Sequence, residues 1–408
     1  MNAYSLRSCL AALAILFVPL VCVADAVTEW NEKTMAASAQ AKQLPAAASR
    51  TVVVVHTAMF DAMNSVEGRY LPYKFKVSAP SGSSAEAAGV AAAHAVLLSL
   101  FPEQKADLDA TFASSLGRIP DGAGKTSGIS VGEEVAAKIL ALRASDGADA
   151  PNPYRPVTTP GVFVPTTLPI SLQWGNVTPW MMERSSQFRP APPPPLTGSV
   201  WANDYNEIKD LGNKKSTTRT PEQTDIARFW ILAGPASWDP ITRHLASTPG
   251  RTLLQNARLF ALVELATADA YIAVFEGKYK FLFWRPITAI RNGDIDGNDA
   301  TARVPDWEPS IDTPLHPEYP CAHCITSAAA RAVLESEFGV RPIPVFTMTS
   351  PTAPGVTRKW TSVKDWADEI SAARIYGGIH YRNSTDVGQA MGKQIGEFTV
   401  QNFLKPIH

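Results

Sequence analysis

A chain of 408 residues with 45% hydrophobic and 18% charged side chains can bury a large core, in one unit or two. Its 37 basic and 38 acidic residues leave a formal net charge of −1, so no global basic field draws it to nucleic acid or to an anionic membrane surface.

Residues 1–26 read as a signal peptide. Arg7 precedes an apolar run, Leu10 to Val23, and Ala24-Asp25-Ala26 gives the small-x-small pattern of a signal-peptidase site. Cleavage is expected after Ala26, with Ala24 as the runner-up, and the mature protein is expected in the periplasm or outside the cell. No later run reaches the roughly 18–20 apolar residues of a membrane span. The closest, Ala87 to Phe101, is interrupted by His94 and Ser99 and reads as a core helix.

Helical periodicity dominates the first half of the mature chain. It predicts helices over Ser49 to Val66, Ala85 to Leu100, Glu103 to Leu116 and Thr126 to Ala144. The four valines at 52–55 fit a strand equally well by propensity, but the Met- and Ala-containing continuation favours a helix. His56, His94 and His244 fall in such runs and read as structural. From 147 to 198 repeated prolines leave little room for regular structure. Trp174, Trp180, Phe188 and Arg189 in this stretch seek burial, so it is expected as a strap over the bundle and a wall of a pocket. The expected organisation is an N-terminal bundle with its strap, 27–198, and a C-terminal bundle, 199–408.

In the second half Thr220-Pro-Glu-Gln223 is a capping-box start. Arg251 to Lys278 and Val363 to Ile379 follow as helices. Gly388, Gly392 and Gly396 give the last helix a smooth stripe for close packing. Only Cys321 and Cys324 remain after the leader, in a CxxC spacing that reads as a structural disulfide or as two small buried residues. A redox site lacks its βαβ context and a zinc site lacks a second ligand pair.

Five residues in the last third carry the chemistry. Lys278 and Arg285 lie seven apart, two helical turns, so both side chains can leave one helix face. His323 falls in the first turn of a helix that starts after Pro320-Cys321-Ala322, where free amides and the macrodipole favour an anion. Arg374 and His380 are six apart, and Gly377 and Gly378 between them loosen the helix so that the two converge. Three cations and two imidazoles cannot share a buried site without a counter-charge, so the missing partner is expected to be an oxyanion.

These three pieces resemble the KxxxxxxRP, PSGH and SRxxxxxH signature of vanadium-dependent haloperoxidases and the type 2 phosphatidic acid phosphatases, also called class A acid phosphatases. Lys278, Arg285, Pro286, Arg374 and His380 match, while Cys321, Ala322 and Ala373 stand where the signature has Ser, Gly and Ser. His316-Pro-Glu-Tyr-Pro320, Trp174-Gly-Asn-Val-Thr-Pro179, Phe188-Arg-Pro190 and Val55 to Asp61 are similar to the soluble bacterial haloperoxidase-like branch. The resemblance implies an all-α fold of two packed helical bundles with the oxyanion in the C-terminal one. It implies oxyanion binding by Lys278, Arg285, Cys321, Ala322 and Arg374, with His323 as acid/base. His380 would be the apical ligand of vanadium in a vanadate cofactor, or the nucleophile of a metal-free phosphomonoesterase.

Relatives of this kind are expected to take small molecules, either peroxide and halide or a phosphate ester. They also imply a homo-oligomer, for which the chain offers no seam. Cys321 departs from the expected hydroxyl, which favours phosphatase chemistry or a degenerate site that only binds the anion. The carboxylate that orients His380 is expected at Asp386, a residue whose spacing suits a helix N-cap equally well.

Overall fold

The computed structural model describes residues 25–152 and 154–407, and nearly all of the regular structure is helical. The expected leader lies outside these residues except for Asp25 and Ala26. There α1 (Ala26–Gln40) begins, with the Asp25 carboxylate accepting from the Thr28 amide at 2.8 Å and a second bond from Asn256 Nδ2 at 2.6 Å.

The N-terminal bundle continues with α2 (Pro45–Glu67), α3 (Ala85–Leu100), α4 (Lys105–Gly117) and α5 (Ala123–Arg143). The four valines are helical and wholly buried in α2, because tertiary burial outweighs their strand propensity. The 147–198 segment has one 3-10 stretch, Leu172–Asn176, and runs across the bundle with Trp174 and Trp180 buried. Asp269 fastens it by accepting the amides of Trp180, Met181 and Met182 at 2.7–2.9 Å.

The second half comprises α6 (Ser199–Leu211), α7 (Pro221–Phe229), α8 (Pro235–Ala246), α9 (Leu253–Phe281), α10 (Pro286–Arg291), α11 (Ala322–Phe338), α12 (Val363–Tyr376) and α13 (Arg382–Asn402). A short antiparallel hairpin, β1 (Phe346–Thr349) with β2 (Thr357–Trp360), is inserted before α12. Thr220 closes its capping box with Gln223, and Thr252 does the same with Gln255 at the start of α9.

Helix α9 is buried over most of its length and packs on both α2 and α11, so one apolar core runs through both bundles. The glycine stripe of α13 lies on α11: a Cβ at Gly392 would stand 2.1 Å from the Ile325 carbonyl oxygen. A smaller aromatic cluster, including Trp201, Tyr205, Phe283, Trp284, Tyr319 and Tyr381, supports the loop before α11. Among the described residues no single helix is long and apolar enough to cross a membrane.

Candidate active site

Three chain breaks bring the charged residues together. Helix α9 ends just past Lys278, and Leu282 takes a left-handed conformation at φ 49°. The chain then turns back, so Arg285 occupies the extended N-cap position of α10 and does not share a helix with Lys278 as the seven-residue spacing had suggested. The physical reason is the Pro286 ring, which disfavours helical geometry at the residue before it. Likewise α12 terminates at Tyr376, and Gly378 at φ 77° reverses the chain so that His380 folds back with its amide on the Arg374 carbonyl at 3.3 Å. The third break is the start of α11 at Ala322, which leaves the first amides of that helix without intrahelical acceptors.

The result is a buried cluster of cations. Lys278 is fully buried and donates to the carbonyls of Pro317 and Glu318, both at 2.9 Å, leaving its third N–H uncommitted. Arg285 donates to the carbonyls of His316 at 2.9 Å and Ile379 at 2.7 Å, and to ring nitrogens of His316 at 3.0 Å and His380 at 3.2 Å. Arg374 donates through Nη1 to the Trp230 carbonyl, while its buried Nε has no partner. Burial holds all three below their ordinary values, Arg285 at about 10 and Arg374 at about 9, with cation repulsion adding to the effect on Lys278 and Arg374.

His380 is held in one tautomer. A guanidinium only donates, so Nε2 accepts from Arg285 and the ring proton must sit on Nδ1, where it is donated to Glu318 Oε1 at 2.7 Å. Burial and the charges of Arg285, Lys278 and Arg374 push His380 well below the usual imidazole range, so the ring is neutral. Burial pushes the Glu318 carboxyl the other way, up to about 7, against the pull of Arg285 and Lys278. Glu318 also accepts the Tyr381 amide at 3.1 Å.

The carboxylate that orients His380 is therefore Glu318 and not Asp386. Asp386 lies just past the first turn of α13 beside Arg382 and Thr385, faces a surface groove, and is not the N-cap, a position that Tyr381 occupies. Ser384 stands beside Glu318.

His323 is bonded through Nε2 to the Leu232 carbonyl at 3.2 Å and is neutral, lowered by burial and by Arg374. Cys321 and Cys324 form a disulfide. Cys321 Sγ accepts the Cys324 amide at 3.3 Å and so caps α11, but a disulfide sulfur has no proton to donate to an oxyanion. Its expected place among the donors is not supported, whereas the Ala322 backbone remains available there.

His323, Arg374, His380 and Ala322 line one cavity of about 260 Å³, together with His316. Lys278 and Arg285 stand behind that wall, tied to it through the 316–318 carbonyls and through His380. Two contributors escaped assignment from the sequence, His316 and Glu318. Both lie in the His316-Pro-Glu-Tyr-Pro320 segment that precedes the second motif, and the signal there was a carboxylate and an imidazole inside a proline-bounded loop.

Helical bundles thus surround a cage of buried cations and a carboxylate-oriented histidine. Residues 258–408 match the family model of the VCPO second helical-bundle domain. The vanadium chloroperoxidase of Curvularia inaequalis is 28% identical over 190 residues, 38% of this chain and 30% of that one, so the match spans less than a third of the curated relative's length. A bacterial vanadium-dependent iodoperoxidase superposes with a TM-score of 0.80 at 24% identity, over 93% of this chain and 96% of the other. An apo bacterial vanadium-dependent chloroperoxidase gives 0.72 at 18% identity, over 86% and 92%. The chain has the all-helical fold seen in the bacterial vanadium haloperoxidases, and its C-terminal part is similar to the second helical-bundle domain described by that family model.

Proposed function

We propose that the protein is a vanadium-dependent haloperoxidase that oxidises halide with hydrogen peroxide. The observation that carries this reading is the neutral His380, held in one tautomer by Glu318 amid three buried cations, two of which feel the Glu318 carboxylate. Such a set fits a compact, multiply charged oxyanion, and the unpartnered Arg374 Nε and the third Lys278 proton are donors still to be satisfied. Vanadate bound there supplies a Lewis-acidic centre that activates peroxide for oxygen transfer to halide.

Lys278, Arg285, Arg374 and the Ala322 amide would hold the oxygens of the oxyanion, and His380 Nε2 would bind its central atom. His323, neutral and partly exposed to the cavity, is placed to take a proton from incoming peroxide and return it to the departing oxygen. The Cys321–Cys324 disulfide leaves no free thiol for the oxidant to attack beside the cage.

The same cage suits a phosphoryl group in flight, and the lost donor at Cys321 favours that second reading, a phosphomonoesterase with His380 as nucleophile. Purified protein is assayed for halide oxidation by peroxide and for phosphate-ester hydrolysis, with and without vanadate. Halide oxidation that requires vanadate and is inhibited by phosphate is expected. Hydrolysis inhibited by vanadate would instead assign the phosphatase, and anion binding without turnover a degenerate site.

We infer export as well. Removal of the leader after Ala24 leaves Asp25 to cap α1, whereas removal after Ala26 deletes that cap, so Asp25 is the expected first residue on N-terminal sequencing.

A further inference from the structure

The three cage cations are not held alike. Lys278 donates to two carbonyls, and Arg285 to two carbonyls and two imidazoles. Among the described residues the Arg374 side chain makes a single hydrogen bond, from Nη1 to the Trp230 carbonyl at 2.5 Å. Where that carbonyl sits therefore decides where the guanidinium points.

Trp230 stands at the end of α7, a helix of nine residues. A helix so short is marginal by itself, and its last carbonyls have no intrahelical donors. The loop of the hairpin supplies them. Thr352 Oγ1 donates to the Arg228 carbonyl at 2.8 Å, and Ser350 Oγ to the Phe229 carbonyl at 3.0 Å. Trp360 of β2 packs on the Trp230 ring with centroids 5.6 Å apart. The indole is fixed as well, because Nε1 donates to Glu369 Oε1 at 2.9 Å. Arg358 of β2 grips the same carboxylate as a fork, Nε to Oε1 at 2.6 Å and Nη2 to Oε2 at 2.8 Å. The two side chains are only 13% and 15% exposed, so this pair is screened less than a surface bridge. Glu369 and Arg374 both belong to α12, so one helix holds the Trp230 indole at one point and is held by the Trp230 carbonyl at another.

We propose that Trp230 and Glu369 are positioning residues for the cage cation Arg374, and that the β1–β2 hairpin is the clamp that keeps them in place. The inference rests on the reading of the cage as an oxyanion site, whichever of its two reactions follows. Neither residue lines the cavity, so both act through Arg374 and not on the anion. Without them the guanidinium remains but is misdirected, a loss that outer partners of a bound ion register as roughly 10- to 100-fold in affinity.

The test is calorimetric titration of the full chain with vanadate and with phosphate at one pH. Trp230→Phe keeps an aromatic ring and removes the indole donor, and Glu369→Ala removes its acceptor. Each is expected to weaken binding about tenfold. Glu369→Gln, whose amide oxygen still accepts from the indole, is expected to stay within about threefold of the parent. Urea midpoints are measured alongside and should fall in both Glu369 variants, since both lose the ion pair with Arg358, so affinity and stability part company. In Arg374→Met, where the guanidinium is gone, Glu369→Ala is expected to add no more than about a twofold loss. Far-UV circular dichroism checks that each variant is folded.

Parent-like affinity in Trp230→Phe and Glu369→Ala, or an equal loss from Glu369→Ala with and without Arg374, overturns this inference alone. A parent that binds neither anion overturns the oxyanion reading and the positioning role together.

Discussion

Glu318 accepts the Nδ1 proton of His380 at 2.7 Å, and whether the carboxyl carries a proton of its own decides whether the Nε2 lone pair is available. Glu318 ordinarily titrates near 4.5, and burial raises it to about 7. The folded protein therefore binds this proton more tightly than the unfolded chain does, and the stability it confers, full below 4.5, is lost as pH rises to about 7. Function runs the opposite way. An ionised Glu318 accepts from Nδ1 and leaves the lone pair on Nε2, whereas a protonated Glu318 donates to Nδ1 and moves the imidazole proton to Nε2. At the alkaline end Arg374, held at about 9, begins to lose its charge. Oxyanion affinity is thus expected to peak between about 7 and about 9. In Glu318→Gln the amide oxygen still accepts from Nδ1 but does not titrate, so the acid limb should disappear. Calorimetric titration of both proteins with vanadate across pH reads this, since the ligand's own ionisation cancels in their ratio. An unchanged acid limb in the variant would remove Glu318 from the account.

Cys321 offers a second residue-scale test. A serine there would cap α11 as the sulfur does and would also carry a proton for the oxyanion. Cys321→Ser with Cys324→Ala is expected to tighten vanadate binding about tenfold, the worth of one hydrogen bond to a charged group. No gain would mean that position 321 does not face the anion. The sequence readily offered the cations, because Lys278, Arg285, Arg374 and both histidines stand at recognisable spacings. It hid Glu318, whose contact with His380 joins residues 62 apart and exists only once the loop before α11 has folded under α13.

At the scale of elements, the sequence predicted which stretches are helical better than where helices stop. Gly377 and Gly378 pointed to a disturbance between Arg374 and His380, and the structure turns it into a full stop. Gly378 packs so closely on Gly212 that a Cβ would lie 2.3 Å from the Gly212 carbonyl oxygen. The turn at Leu282 left no such mark, because a left-handed leucine is uncommon and no local preference announces it. That turn separates Lys278 from Arg285, so the helical spacing argument failed where tertiary contacts overrode local geometry. The glycine stripe of α13 was readable because a four-residue repeat of the smallest side chain has a direct packing consequence. Gly392→Ala would drive a methyl group into the Ile325 carbonyl, and the backbone of α11 can yield little. The expected cost is about 1–3 kcal/mol, seen as a lower urea midpoint at unchanged slope. A midpoint equal to that of the parent would show that the α11 and α13 interface is looser than its geometry implies.

For the whole molecule, composition allowed one core or two, and α9 decides between them. Its residues from Leu259 to Phe275 are all buried, and it packs on both α2 and α11. Residues that a boundary at 198 would assign to the C-terminal bundle thus complete the N-terminal one, and the helix that ends in Lys278 is stabilised from both sides. This arrangement gives the cage a rigid support, because the N-terminal bundle cannot open without exposing the helix that carries a cage cation. It follows that unfolding is one cooperative event. Far-UV circular dichroism and tryptophan fluorescence should give coincident urea transitions, since Trp30 in the first bundle and Trp238 and Trp366 in the second half are buried in the same continuous core. A fragment of residues 199–408 would leave the α2-facing side of α9 uncovered, exposing apolar residues such as Phe260, which stacks on His56 of α2, to water. That fragment is expected to be loosely packed, to bind a hydrophobic dye, and to bind vanadate at least tenfold more weakly than the full chain. A fragment with sharp, dispersed amide resonances and undiminished vanadate affinity would show instead that the cage is complete within the second half, and that α9 gains nothing essential from the first.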